Sequence, residues 1–83
     1  MNSSALEILR RPAVEKISGQ PRSTLYSKIE QGLWTKPVRL GMRAVGWPSN
    51  ECQQLIAARI AGKSDTEIKA LVASLEMARK VAA

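Results

Sequence analysis

The chain has 83 residues, of which 13 are Lys or Arg and 7 are Asp or Glu, giving a formal net charge of +6. This length corresponds to one small domain. No apolar run approaches the roughly 20 residues of a membrane-spanning helix. Residues 1–4 also lack the charged and apolar regions of a secretion signal. We therefore expect a soluble, cytoplasmic protein that does not enter a membrane.

The same composition argues against a metal site and against catalysis. The chain has one cysteine, Cys52, and no histidine, which excludes an intramolecular disulfide and the common zinc sites. Its Glu and Lys residues are scattered and form no obvious acid–base pair. We expect no metal, no cofactor and no enzymatic activity.

The positive charge is concentrated in the first part of the chain. Residues 1–46 contain eight basic and three acidic side chains, whereas residues 47–83 contain five and four. A basic surface of this kind attracts polyanions through Coulomb forces and counterion release. Charge alone leaves DNA, RNA and an anionic membrane open as partners.

In chain order, the first elements are an extended segment and a short helix. Residues 6–9 are typical of extended backbone, and Pro12 suits the first turn of a helix, where its missing N–H is not needed. The buried side of this helix is expected to contain Ala13, Val14 and Ile17. Gly19 can adopt a positive φ and so end the helix.

A second helix is predicted from Pro21 to Gln31, with Gly32 as its C-terminal stop. Leu25 and Ile29 lie one turn apart and face the core. Short hydroxyl side chains occupy the outer face: Ser23, Thr24 and Ser27. Two helices joined by so short a turn are typical of a helix-turn-helix, in which the second helix enters the major groove of DNA.

From Lys36 the apolar period changes to two, which predicts a β-hairpin over residues 36–46, called the wing below. Val38 and Leu40 alternate with basic residues, residues 41–43 form a bend, and the chain returns towards Trp47. Trp47 ends the returning strand before a proline, which favours a place in the core over stacking on a base.

Two more helices follow. Ser49 or Asn50 can cap the first, and Gly62 breaks it. Its apolar positions at helical spacing are Cys52, Leu55, Ile56 and Ile60. Residues 64–67, Ser-Asp-Thr-Glu, form a capping box for a last helix. We divide the chain into a DNA-binding unit, residues 1–62, and a C-terminal helix, residues 63–83.

Two runs of residues resemble a known family. One is Gly19 followed by RSTLY at residues 22–26, with Ile29 and Gly32; the other is KPVRLG at residues 36–41 followed by RAVGW at residues 43–47. Together they resemble the AlpA-type regulators of phages and genomic islands, a family that overlaps the small excisionases. The resemblance implies a mainly α, small winged helix-turn-helix fold of the MerR and excisionase kind. It also implies binding to double-stranded DNA. The C-terminal helix predicted from the capping box is an addition to this fold.

On this interpretation the second helix enters a major groove and the wing grips the flanking backbone. The DNA contacts expected on the helix are Arg22, Ser23, Thr24, Tyr26, Ser27 and Lys28. Those expected on the wing are Lys36, Arg39, Met42 and Arg43. Tyr26 is not interpreted as a recombinase nucleophile, because that chemistry needs a cluster of Arg and His around the phosphate.

The apolar stripe of the last helix has two interpretations. Either it packs on its own domain, or it binds a partner. The partner would be a second protomer in a cooperative array on DNA, or an integrase. The residues of this stripe are Ile68, Leu71, Val72 and Leu75.

Several functions are compatible with these features. The first is a regulator of transcription or an excisionase of a mobile element, which both need the same DNA-binding head. The second is a protein-interaction module, such as an adaptor or antitoxin, that works through the last helix. RNA binding is disfavoured by the few aromatic residues available to stack on single-stranded bases.

Overall fold

The computed structural model of the chain describes residues 7–82. Within that range the elements are β1 (Ile8–Leu9), α1 (Arg11–Ser18), α2 (Arg22–Glu30), β2 (Val38–Arg39), β3 (Val45–Pro48), α3 (Ser49–Ile60) and α4 (Asp65–Ala82). The prediction of a mainly α, small winged helix-turn-helix fold is confirmed. Of the two expected units, the first, residues 1–62, includes residues 1–6, and the second, residues 63–83, includes residue 83. These residues lie outside the described range.

The strands form a small antiparallel sheet in the order β1-β3-β2. In β1, Leu9 is opposite Trp47, and in β2, Val38 is opposite Gly46. The ladder continues beyond β1, because the Ser49 N–H donates to the Glu7 carbonyl oxygen at 2.7 Å. The segment before the first helix is therefore extended, as predicted, and it pairs with β3, the returning strand of the wing.

The turn between α1 and α2 follows from residues at its ends. Pro12 lies in the first turn of α1, and Gly19 ends the helix with a φ of 69°, a conformation that suits glycine. Val14 and Leu25 are fully buried between the two helices and the rest of the core. The expectation that Ile17 is buried is wrong, since its side chain is 47% exposed. The inner side of α1 is centred on Val14 and Ser18 instead, and the Ser18 hydroxyl donates to the Val14 carbonyl oxygen.

The start of α3 differs from the prediction. Pro48 occupies the N-cap position, and neither Ser49 nor Asn50 caps the helix through its side chain. The Ser49 hydroxyl is used elsewhere, since it accepts a hydrogen bond from the Glu7 N–H. Cys52 and Leu55 are buried as expected, but Ile60 is 82% exposed. Its expected place in the core is taken by Ala58, one helical turn after Leu55.

The capping box of α4 is confirmed. The Ser64 N–H donates to the Glu67 carboxylate at 2.9 Å, and the Glu67 N–H donates to the Ser64 hydroxyl at 3.2 Å. Hydrogen bonding from Ser64 to the carboxylate, first of all from the backbone N–H, lowers the pKa of Glu67. The capping box thus sets the first turn of α4 directly after the turn that ends α3.

The apolar stripe of α4 packs on its own domain. Ile68, Val72 and Leu75 are buried in the same cluster as Trp47 and Leu55, and Leu71 is half-buried against it. The stripe is therefore covered within the chain, and we do not assign it to a protomer or integrase interface.

Candidate nucleic-acid interface

The outer face of α2 is polar and open to solvent. Arg22, Ser23 and Ser27 are exposed, while Leu25 on the opposite face is fully buried. The side-chain amide of Gln31 donates to the Ser27 hydroxyl at 2.9 Å. Gln31 therefore extends this polar face by one turn, although we had predicted it only as the end of the helix. Its spacing of four residues from Ser27 is the signal that could have identified it.

The other predicted contacts on α2 lie on its flanks. Thr24 and Lys28 are half-buried and line an open groove of about 460 Å³ between α2 and α3, together with Trp34 and Ile60. Tyr26 is on the other flank, where it packs against the core. These three side chains are therefore only partly exposed.

The N-terminus of α2 carries an uncompensated positive partial charge. Its N-cap residue, Pro21, makes no side-chain cap, and its first turn contains no acidic residue. The first turns of α3 and α4 do contain acidic residues, namely Glu51, Asp65 and Glu67. Free N–H groups and the helix dipole attract anions such as phosphate. The start of α2, with Arg22 as its first residue, is therefore suited to a polyanion.

The wing has a five-residue tip. After β2, the N–H groups of Leu40 and Gly41 both donate to the Ala44 carbonyl oxygen, at 2.8 and 3.3 Å, and close the bend. Arg39 and Arg43 are exposed, and the Met42 side chain at the tip is 92% exposed. The predicted hairpin is thus present, and its cations and two apolar side chains, Leu40 and Met42, are exposed.

The predicted wing residues do not all lie in one place. Arg43 lines an open pocket with Tyr26, which brings the tip of the wing beside α2. Lys36 lies at the base of the wing, in a different pocket that also contains Glu30 and Glu76. The structure therefore places Arg43 beside the Tyr26 flank of α2, and it places Lys36 in a pocket with two acidic side chains and Lys69.

The base of the wing is held by α4. The Lys36 N–H donates to the Glu76 carboxylate at 2.8 Å, and the Lys36 carbonyl accepts from the Arg79 guanidinium at 2.6 Å. Arg79 also pairs with the buried Glu51 of α3, and this hydrogen bonding raises the pKa of Arg79. These contacts were not predicted, although an Arg beside an apolar stripe was an available signal.

The buried thiol of Cys52 belongs to the core and not to this surface. Burial, and then the nearby Glu51 carboxylate, raise the pKa of Cys52 from 9.0 to about 11, so the thiol is protonated at neutral pH. Within residues 7–82, no group of His, Cys, Asp and Glu side chains could hold a metal ion. In the same range, no helix has both the length and the apolar character needed to span a membrane.

Comparison with known proteins gives one family and one relative. The sequence profile of the family described as Prophage CP4-57 regulatory protein (AlpA) matches residues 7–60, from the residue before β1 to the last residue of α3. The chain is also similar to Uncharacterized protein ORF88 of Enterobacteria phage P4, with 40% identity over 55 residues. That alignment covers 66% of this chain and 62% of the phage protein, so the chain spans less than two thirds of its relative. No solved structure gives a significant match.

Proposed function

The chain belongs to the AlpA family of prophage regulatory proteins, a family of DNA-binding regulators, and we propose that it binds specific sites on the double-stranded DNA of a mobile element. In this proposal α2 lies in a major groove. Arg22, Ser23 and Ser27 reach base edges, and the wing follows the neighbouring backbone.

One observation carries this proposal: α2 has an exposed polar face, and the cation of the wing tip lies beside a flank of the same helix. Arg43 shares a pocket with Tyr26 of α2, while Arg22 and Ser23 begin the same helix. A recognition helix needs side chains that read bases, and a flanking contact that holds its position on the backbone. Both kinds of residue are present here, the first on α2 and the second beside it.

The electrostatics of α2 support the same proposal. Its first two turns contain Arg22 and Lys28 and no acidic residue, and Glu30 is its last residue. The uncapped N-terminus adds a positive partial charge at the end where Arg22 is located. Between this end of α2 and Glu30, the helix therefore has no acidic side chain that would repel a phosphate backbone.

The biological output of such binding is a change in promoter occupancy or in the path of attachment-site DNA. Both effects require the same DNA-binding unit. We propose that the protein acts in one of these two ways, as a regulator of transcription or as an excisionase. The alternative of an adaptor that binds through the apolar stripe of α4 has less support, because Ile68, Val72 and Leu75 are buried within the chain.

The decisive experiment begins with selection of a binding site from a pool of random duplexes. Fluorescence anisotropy then compares the selected duplex with a scrambled duplex, the single strands and an RNA of the same sequence. We expect Arg22→Ala to weaken binding to the selected duplex by about 1–3 kcal/mol while the fold is unchanged, because Arg22 makes no core contact.

Lys63→Ala is the matched control, since Lys63 is an exposed cation in the turn between α3 and α4. It should leave specific binding close to that of the wild type. A folded Arg22→Ala variant with undiminished affinity, or a wild type that prefers RNA or single strands, would contradict the proposal.

A further inference from the structure

An open pocket of about 280 Å³ lies between α1, α2 and the wing, and it contains three arginines. Its lining is formed by Arg10, Arg11, Pro12, Tyr26, Arg43 and Val45. The first two arginines belong to the start of α1, and the third comes from the tip of the wing more than thirty residues later. We call this site the arginine pocket.

The first two arginines are held in place by bonds that leave part of each guanidinium free. The Nε of Arg10 donates to the Val45 carbonyl oxygen at 3.0 Å, which ties α1 to the returning strand of the wing. The Nε of Arg11 donates to the Glu15 carboxylate at 2.9 Å. Both bonds use Nε, so the terminal nitrogens remain available as donors. Among the described residues, Glu15 is the one acidic side chain that pairs with the three arginines.

The position of these charges on α1 is unfavourable in the free protein. Arg10 is the N-cap of α1 and Arg11 is its first residue; no side chain caps this end, and its first turn contains no acidic residue. A helix N-terminus is stabilised by anions and destabilised by cations. Two cations at this end, with Arg43 close by, therefore repel both the helix dipole and one another, and the Glu15 carboxylate compensates one of the three charges. A bound anion would relieve this repulsion.

We propose that the arginine pocket binds one phosphate group of the DNA backbone. Guanidinium groups bind phosphate through paired N–H donors, and the positive end of the α1 dipole adds to the attraction. The inference rests on the proposed function and deepens it. It adds α1 to the contact surface and gives Arg43 a defined partner on the DNA, shared with Arg11.

A phosphate held in this pocket would set the depth of α2 in the groove. The pocket adjoins α2 through Tyr26, and α2 carries the base-reading side chains on its outer face. A backbone contact beside the recognition helix fixes its position but carries no sequence information. Loss of the pocket should therefore weaken binding to specific and scrambled duplexes by the same factor.

The test measures binding of the selected duplex over a range of salt for the wild type, Arg11→Gln, Arg43→Gln and the double variant. Each single variant should lower the slope of log K against log salt by up to about 0.9, the value for one phosphate contact. Because both arginines contact the same phosphate, the double variant should lose no more than that one contact. Lys16→Gln, an exposed cation in the last turn of α1, is the matched control and should leave the slope unchanged.

A second measurement locates the phosphate. Single phosphates of the duplex are replaced, one at a time, by neutral methylphosphonates. We expect one position that weakens the wild type several-fold but has little effect on Arg11→Gln or Arg43→Gln.

The inference is overturned if no such position exists, if the two arginines respond to different phosphates, or if the slope losses add up to two contacts. It also fails if both variants bind as the wild type does while Arg22→Ala is weakened, and in that case the proposed function stands. A wild type that does not bind duplex DNA overturns both.

Discussion

Arg79 of α4 and Glu51 of α3 form a bidentate ion pair, in which Nε and Nη2 of Arg79 donate to the two carboxylate oxygens at 2.7 and 2.6 Å. Glu51 is only 2% exposed. A carboxylate so deeply buried is tolerated because the guanidinium is fixed opposite it. The pair joins the last helix to the helix that follows the wing.

Arg79→Ala should destabilise the protein by about 3–5 kcal/mol, since it leaves the Glu51 charge buried without a partner. Urea denaturation followed by circular dichroism measures this loss. Arg59→Ala is the matched control, because Arg59 pairs with Asp65 on the surface and such pairs contribute at most about 1 kcal/mol. The double variant Glu51→Met with Arg79→Met should recover most of the lost stability. Equal losses in Arg79→Ala and Arg59→Ala would disprove this role.

Arg39 should contribute to DNA binding through charge alone. Its side chain is exposed on β2, and a phosphate contact there is independent of sequence. We expect Arg39→Gln to weaken binding to selected and scrambled duplexes equally and to lower the salt slope by roughly 0.9. Anisotropy titrations at several salt concentrations provide the measurement. A variant that loses only the preference for the selected duplex would show that Arg39 contacts bases.

The stripe of α4 should behave as core. Leu75 is 7% exposed, whereas Met77, two residues later, is 68% exposed. Leu75→Glu buries a charge, so we expect a loss of at least about 3 kcal/mol and a parallel loss of single-site DNA binding. Met77→Glu should change the melting temperature little. If Leu75→Glu stays as stable as Met77→Glu and loses only cooperative binding to adjacent sites, the stripe is a partner surface after all.

Gly46 should not tolerate a side chain. A Cβ at this position in β3 would lie 2.5 Å from Ile8 Cγ2, 3.1 Å from the Leu9 carbonyl oxygen and 3.2 Å from Leu40 Cδ1. Gly46→Ala should therefore cost about 1–3 kcal/mol, because the strands on both sides must shift. Gly41→Ala, where the nearest such atom is 4.0 Å away, is the control for thermal denaturation. Similar melting temperatures for the two variants would contradict the close packing of the sheet.

Cys52 should make stability depend on pH in the alkaline range. Its thiol has a pKa of about 11 in the folded protein against 9.0 as the ordinary value. The folded state therefore keeps the proton longer than the unfolded state, and this contribution is present below pH 9 and lost as the pH rises towards 11. The free energy of unfolding of the wild type should fall relative to that of Cys52→Ala over this range. A difference that stays constant would show that the thiol pKa is unchanged by folding.

The elements that were predicted correctly depend on local signals. Pro12 and Gly19 mark the two ends of α1, and the capping box at residues 64–67 begins α4. Each of these features acts through neighbouring backbone groups. The wing was predictable for the same reason, because its apolar period changes within a few residues.

The errors arise where distant residues decide the outcome. Helical spacing predicted burial of Ile17 and Ile60, but the burial of a face depends on which other elements cover it. Ser49 was expected to cap α3, yet its hydroxyl bonds to the backbone of Glu7, 42 residues away. No periodicity indicates such a pairing.

The candidate site also combines features that depend on neighbouring residues with features that depend on distant ones. The polar face of α2 could be predicted from residues 22–28 alone. The proximity of Arg43 to Arg10 and Arg11 was not, since it depends on how the wing returns to α1. Charged residues such as Glu51 are by default expected in solvent, so sequence patterns give no reason to bury one.

The bonds that hold Lys36 make the position of the wing depend on α4. Both polar backbone groups of this first wing residue bond to side chains of α4, those of Glu76 and Arg79. The range that the family profile matches, residues 7–60, does not include these two partners. A chain shortened to that range would therefore keep the residues of the wing and lose two of the hydrogen bonds that fix its base.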